Sequence, residues 1–128
     1  MIVADASVIV LALLNDGGAR RALTQGEAVA VPHLADAEIA HALRGQVRRG
    51  HVDAATAEAL LRRWTHLGVR RFPVFGLLSR VWELRENLTA YDAAYVALAE
   101  ALRVSLVTAD ARLARAPGPE CPVTVVHR

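Results

Sequence analysis

Four acids, Asp5, Glu38, Asp92 and Asp110, each sit beside an apolar stretch. Hydroxyl residues accompany three of them: Ser7 follows Asp5, Thr89 precedes Asp92, and Thr108 precedes Asp110. Each acid has a local explanation. Asp5 suits the N-cap of a helix from Ala6 to Leu14 as well as it suits a ligand site, because Asp is a favoured cap. Thr89-Ala90-Tyr91-Asp92 matches a capping box, with Thr followed by an acid at the third residue, and the box alone explains Asp92. Glu38 lies at the margin of a helical apolar stripe, and Asp110 repeats the Asp5 arrangement at the end of another strand. The set becomes informative when the four are brought to one place. Two carboxylates at ~4 Å repel by roughly 1 kcal/mol in water and ~4 kcal/mol at an effective dielectric of 20. Four together call for a cation. All-oxygen ligands suit Mg²⁺ or Mn²⁺, which can also bind phosphate oxygens, activate water and offset charge on a phosphodiester.

The elements that would position these acids follow from the apolar periodicity. Ile2 to Ala4 predicts a strand apolar on both faces, typical of a parallel sheet covered by helices. Such a strand would leave Asp5 at its carboxyl end, where ligands bind in open parallel sheets. Ser7 to Leu14 reads as a short helix, stopped by a turn at Asn15-Asp16-Gly17-Gly18, with a brief helix from Ala19 to Thr24 after it. Ala28 to Val31 reads as a strand closed by Pro32. The helix from Leu34 to Arg49 carries Ala35, Ile39, Ala42, Leu43 and Val47 on one face, with Arg44 and Arg48 opposite and Gly50 as the stop. Asp53 is placed to cap a helix from Ala54 to Leu67, striped by Ala57, Leu60, Leu61 and Trp64. Val69 to Phe72 reads as a third strand, and Pro73 to Glu86 as one helix with Leu77, Leu78, Val81, Trp82 and Leu84. These two helices contain both tryptophans and no cluster of catalytic types, which assigns them to core or self-association, with plain core the preferred reading. Ala93 to Leu102 predicts a helix buried on most sides. Ser105 to Val107 and Val123 to Val126 complete about five strands, with a helical turn through Leu113 and a loop from Pro117 to Pro122 between them. Strands alternating with helices predict an α/β fold with a mostly parallel sheet.

Composition narrows the class. The 128 residues are 54% hydrophobic and 22% charged, which predicts one globular domain over residues 1–128. No apolar run approaches the ~18 residues of a membrane span. The N-terminus lacks a signal peptide's basic region, so a cytoplasmic location is expected. Cys121 is the single cysteine, which excludes an intramolecular disulfide and a cysteine-based zinc framework. All 15 basic residues are arginine. The absence of lysine removes P-loop, Schiff-base and lysine-dependent phosphoryl chemistry. Arginine suits bidentate phosphate contacts, so Arg20-Arg21, Arg48-Arg49, Arg62-Arg63 and Arg70-Arg71 are candidates for a nucleic-acid backbone, although doublets on helices are more often solvated faces.

Four ordered pieces carry a family resemblance: Val-Ala-Asp-Ala-Ser at the N-terminus, Ala-Glu-Ile-Ala-His-Ala-Leu-Arg on the long helix, Leu-Thr-Ala-Tyr-Asp-Ala-Ala-Tyr-Val-Ala-Leu-Ala, and Leu-Val-Thr-Ala-Asp-Ala-Arg-Leu. In order and spacing the chain resembles the PIN-domain ribonucleases, specifically the VapC-type toxins of toxin-antitoxin pairs. The resemblance implies a single PIN domain of three layers, with a sheet of about five strands flanked by helices. It also implies an Mg²⁺- or Mn²⁺-dependent endoribonuclease whose metal-binding catalytic acids are Asp5, Glu38, Asp92 and Asp110. Ser7, Thr108 and Thr89 would support the site. An RNA substrate (tRNA, rRNA or mRNA), a homodimer and a small antitoxin whose tail occupies the acidic groove are expected on the same ground. Asp36 and Glu120 lie outside the pattern and read as solvated or capping acids. The rival readings are a PIN-like module that binds RNA or a partner without cutting, and a metal-dependent phosphohydrolase acting on another nucleic acid or small nucleotide. A surface built only to bind polyanionic RNA gains nothing from clustered negative charge.

Overall fold

The computed structural model describes residues 1–127. Five short strands, β1 (Ile2–Ala4), β2 (Val29–Pro32), β3 (Arg70–Phe72), β4 (Leu106–Thr108) and β5 (Val123–Val125), form one sheet in the order β3-β2-β1-β4-β5. All four pairings are parallel, which makes the expected mostly parallel sheet fully so. Ala4 pairs with Val107 and Pro32 with Phe72, so the carboxyl ends of the strands share one edge. The chain leaves β1 for β2 and β3 on one side, then returns to β4 on the other. That reversal falls at the carboxyl ends of β1 and β4, the position at which open parallel sheets bind ligands.

Among the described residues seven helices cover the sheet: α1 (Ala6–Leu13), α2 (Gly17–Leu23), α3 (Leu34–Arg48), α4 (Ala54–His66), α5 (Leu78–Glu83), α6 (Ala90–Leu102) and α7 (Ala111–Arg115). They pack in two groups, α1 with α2 and α3 and then α4, and α5 with α6. The central strands read as continuous apolar runs because both faces are covered: Val3, Ala4, Ala30, Val31 and Leu106 are fully buried. Helix α6 packs against β1, β2 and β4, and every residue from Ala93 to Ala99 is buried, as its near-continuous Ala, Val and Leu content predicts. Among the described residues no helix is long and apolar enough to cross a membrane.

Three boundaries differ from the periodicity. Asp16 accepts a hydrogen bond from the Ala19 N–H at 2.9 Å and starts α2 at Gly17, so a side-chain cap turns the expected Gly-Gly turn into a first helical turn. Pro32 belongs to β2 and does not close it. The stretch from Pro73 to Glu86 is not one helix: a 3₁₀ turn at Phe75–Leu77 leads into the six residues of α5. The two tryptophan-bearing helices, α4 and α5, also divide. Trp64 is 2% exposed and belongs to the core, whereas Trp82 is 67% exposed beside exposed Phe75 and Leu78, so plain core fails for that segment.

Asp36 caps no helix and, although its side chain is half-exposed, it is not merely a solvated acid. Its Oδ1 accepts the Trp64 indole N–H at 2.7 Å, and the Arg71 guanidinium donates to both carboxylate oxygens at 2.9 to 3.1 Å. Arg71 also lies over the Trp64 ring, 5.3 Å from its centroid. This clasp joins α3, α4 and β3 and removes Arg71 from the pool of arginines free for a nucleic acid. Glu120 is exposed, as expected of a solvated acid.

Candidate active site

Asp5 ends β1 and caps α1 at once. Its carboxylate accepts from the Val8 N–H at 3.2 Å, so the local explanation read from the sequence is real. The cap does not exhaust its contacts. Ser7 donates to Oδ1 at 2.5 Å, and the Thr108 hydroxyl donates to Oδ2 from the end of the neighbouring strand β4. Ser7 Oγ accepts from the Ala109 N–H at 3.0 Å, and Thr108 Oγ1 accepts from the Asp110 N–H at 3.0 Å. Asp5, Ser7, Thr108 and Asp110 are thereby stitched across the reversal point of the sheet. Asp5 is 5% exposed and Thr108 fully buried, yet among the described residues no buried side-chain nitrogen or oxygen lacks a partner.

Helices α3 and α6 bring the other two acids to the same edge. Glu38 is half-buried on α3, where the Tyr95 hydroxyl of α6 donates to its Oε1 at 2.6 Å. Asp92 lies one turn before Tyr95 in the first turn of α6, whose N-cap Thr89 accepts from the Asp92 N–H at 3.1 Å. Thr89 therefore supports the helix that carries Asp92.

The four carboxylates sense one another. Burial pushes Asp5 above the ordinary carboxylate range against the lowering effect of Ser7, Thr108 and Val8, and the Asp92 charge pushes it further. Glu38 is raised by burial despite the Tyr95 hydrogen bond, and by the charges of Asp92 and Asp5. Asp92 is raised by burial and by Asp110. Asp110 departs from this trend: the Arg112 guanidinium holds its carboxyl below the usual range. Perturbed acids sharing one edge of the sheet mark a functional-site candidate.

The acids share the edge but not a single ligand sphere. Among the described residues no three His, Cys, Asp or Glu side chains converge closely enough to hold one ion. The reason is visible at each acid, since Asp5 is turned onto two hydroxyls, Glu38 onto Tyr95 and Asp110 onto Arg112. The donor set nonetheless fits a hard divalent cation, being all oxygen and acidic. Two contributors escaped the sequence reading. Tyr95 resembled core in an aliphatic helix, although its place one turn after Asp92 was the available signal. Arg112, two residues after Asp110, was hidden among unremarkable arginines.

The family model for the PIN domain matches residues 2–119. Ribonuclease VapC9 of Mycobacterium tuberculosis is 54% identical over 128 residues, covering 100% of both chains. Ribonuclease VapC1 of the same organism is 42% identical over 129 residues, covering 98% of this chain and 97% of its own. Among solved structures, PAE2754 from Pyrobaculum aerophilum superposes with a TM-score of 0.72 at 28% identity, over 97% of this chain and 83% of that one. VapBC2 from Rickettsia felis, solved bound to a DNA fragment from its promoter, also gives 0.72, at 15% identity over 96% and 97% of the two chains, a likeness of fold.

Proposed function

The chain belongs to the PIN domain family, and on that premise we propose that it is a VapC-type toxin, an endoribonuclease that hydrolyses RNA phosphodiester bonds and is restrained by an antitoxin protein. The observation that carries this reading is the coupled set of acids at the reversal point of the sheet, with Asp5 buried between two hydroxyls at its centre. A binding module for RNA has no use for four carboxylates gathered at one edge of the sheet, three of them raised in proton affinity by burial and by their neighbours, which speaks against the non-catalytic alternative.

In this reading Asp5, Glu38, Asp92 and Asp110 supply oxygens to Mg²⁺ or Mn²⁺. A divalent cation bound there supplies water activation and charge stabilisation at the scissile phosphodiester. Ser7 and Thr108 hold the Asp5 carboxylate in its orientation, and Tyr95 holds Glu38. The stem of α6, buried from Ala93 to Ala99, keeps Asp92 on a rigid element. Arginines at the rim bind the RNA backbone. The proposal takes the chain as a single PIN domain acting in the cytoplasm as a homodimer, with exposed Phe75, Leu78 and Trp82 offering an apolar surface for pairing.

The test is incubation of purified protein with mixed cellular RNA in Mn²⁺ and in EDTA, alongside thermal melts. Cutting confined to Mn²⁺ is expected, together with a metal-dependent stabilisation of ~2.7 kcal/mol at 100 times the dissociation constant. RNA left intact and melts insensitive to Mn²⁺ would refute the proposal.

A further inference from the structure

Arg112 grips Asp110 with three hydrogen bonds. Its Nε and backbone N–H both donate to Oδ1, at 3.1 and 3.0 Å, and Nη2 donates to Oδ2 at 3.1 Å. A carboxylate oxygen offers about two acceptor positions, so Oδ1 has none left while the guanidinium stays in place. The charge of Arg112 also reaches Asp92. Other arginines that hold carboxylates closely are committed elsewhere: Arg71 to Asp36, and Arg80 to Glu100 at 2.7 Å. Among the described residues Arg112 alone forms an ion pair with one of the four acids.

Exposure separates the two partners. The Arg112 side chain is 84% exposed and that of Asp110 32%, so the guanidinium stands on the solvent side of the carboxylate and is free to swing away. Planar bidentate donors suit phosphate as well as they suit carboxylate. A divalent cation and a guanidinium cannot occupy the same carboxylate oxygens, because like charges repel at that range.

We propose that Arg112 is a partner-exchanging, substrate-positioning residue: in the free protein it closes Asp110, and when a divalent cation takes Asp110 the guanidinium moves to a phosphate of the RNA strand. The inference rests on the metal-dependent reading above. It gives the two ligands opposite demands on one side chain, which no purely structural ion pair would show.

The test uses the full chain and its Arg112→Gln and Arg112→Lys variants, with Asp5→Asn as a reference. Mn²⁺ binding is measured by titration calorimetry without RNA. Binding of a fluorescent RNA oligonucleotide is measured in Ca²⁺ across a salt series, with RNA integrity checked on the same samples. Arg112→Gln is expected to bind Mn²⁺ about two- to fivefold more tightly, the range that loss of an exposed competing ion pair supplies. The same variant should bind RNA more weakly, with a salt slope reduced by about one phosphate contact. Arg112→Lys should fall between, since a point charge lacks the fork. If wild type binds Mn²⁺, Asp5→Asn loses it, and Arg112→Gln matches wild type in both assays, the exchange is overturned while the metal site stands. If wild type binds no Mn²⁺, both fall together.

Discussion

The Tyr95 hydroxyl, on a ring 1% exposed, donates a 2.6 Å hydrogen bond to Glu38 Oε1 and fixes the one candidate acid that stands mid-helix on α3. Burial and the neighbouring carboxylates push the phenol well above its ordinary range, so it remains a neutral donor throughout the working range of pH. Partners that orient a metal ligand typically contribute 10- to 100-fold in affinity or activity. Tyr95→Phe should therefore weaken Mn²⁺ binding by about tenfold with little change in the metal-free melting temperature. Calorimetry and melting curves check this, and an unchanged affinity would mean that Glu38 needs no such anchor.

Asp5 makes the metal-free protein pay for its site as pH rises. Its carboxyl is raised by burial, so between the ordinary Asp value and the raised value the folded chain holds a proton that the unfolded chain has released. Stability therefore falls as pH climbs through that window. Glu38 and Asp92 act in the same sense, whereas Asp36, Glu100 and Asp110 are lowered by arginine partners and lose their contribution as pH falls. In EDTA, Asp5→Asn should gain on wild type in melting temperature as pH rises above the ordinary Asp value of about 4, then level off once the raised carboxyl has ionised. In Mn²⁺ the order should reverse. A constant difference across pH would show that Asp5 does not titrate in this range.

Asp36 tests the separation of scaffold from site. Asp36→Ala strips the Trp64 indole and the Arg71 guanidinium of their acceptor, in a half-exposed position. A loss of about 1–2 kcal/mol in unfolding free energy is expected, discounted for solvent from the ~1.5–3 kcal/mol of hydrogen bonds to charged groups. Mn²⁺ affinity should remain as in wild type. A collapse of metal binding at unchanged stability would place Asp36 in the site.

Trp82 tests the proposed pairing surface. With 67% of its surface exposed, Trp82→Ser should alter monomer stability by no more than about 0.5 kcal/mol. Sedimentation should show a lower dimer fraction than wild type. An unchanged distribution would move the pairing surface away from α5.

The sequence was legible where local chemistry and global fold agree. Asp5, Asp53 and Thr89 were expected helix caps and are caps, the apolar run at Ile2 to Ala4 is β1, and the run at Ser105 to Val107 overlaps β4, displaced by one residue. Asp5, Ser7 and Thr108 meet because adjacent parallel strands end together, a consequence that strand order makes available once the alternation is read. What stayed hidden depends on distant partners. The Asp36 clasp spans 35 residues to Arg71, and the Tyr95 contact spans 57 to Glu38, so no local periodicity encodes them. The break in the expected helix from Pro73 to Glu86 has a similar origin: apolar residues are present at helical spacing, but Phe75, Leu78 and Trp82 face outward, leaving Val81 and Leu84 to the core.

The most direct test of the central claim is cleavage of a mixed tRNA and ribosomal RNA pool by wild type in Mn²⁺, by wild type in EDTA, and by Asp92→Asn in Mn²⁺. Asp92 is chosen because it is raised by one acid of the set and raises two others, while the α6 cap at its backbone N–H belongs to Thr89 and survives the substitution. Discrete fragments from wild type in Mn²⁺ alone are the expected result. Fragments that persist in EDTA, or that Asp92→Asn still produces, would contradict the account.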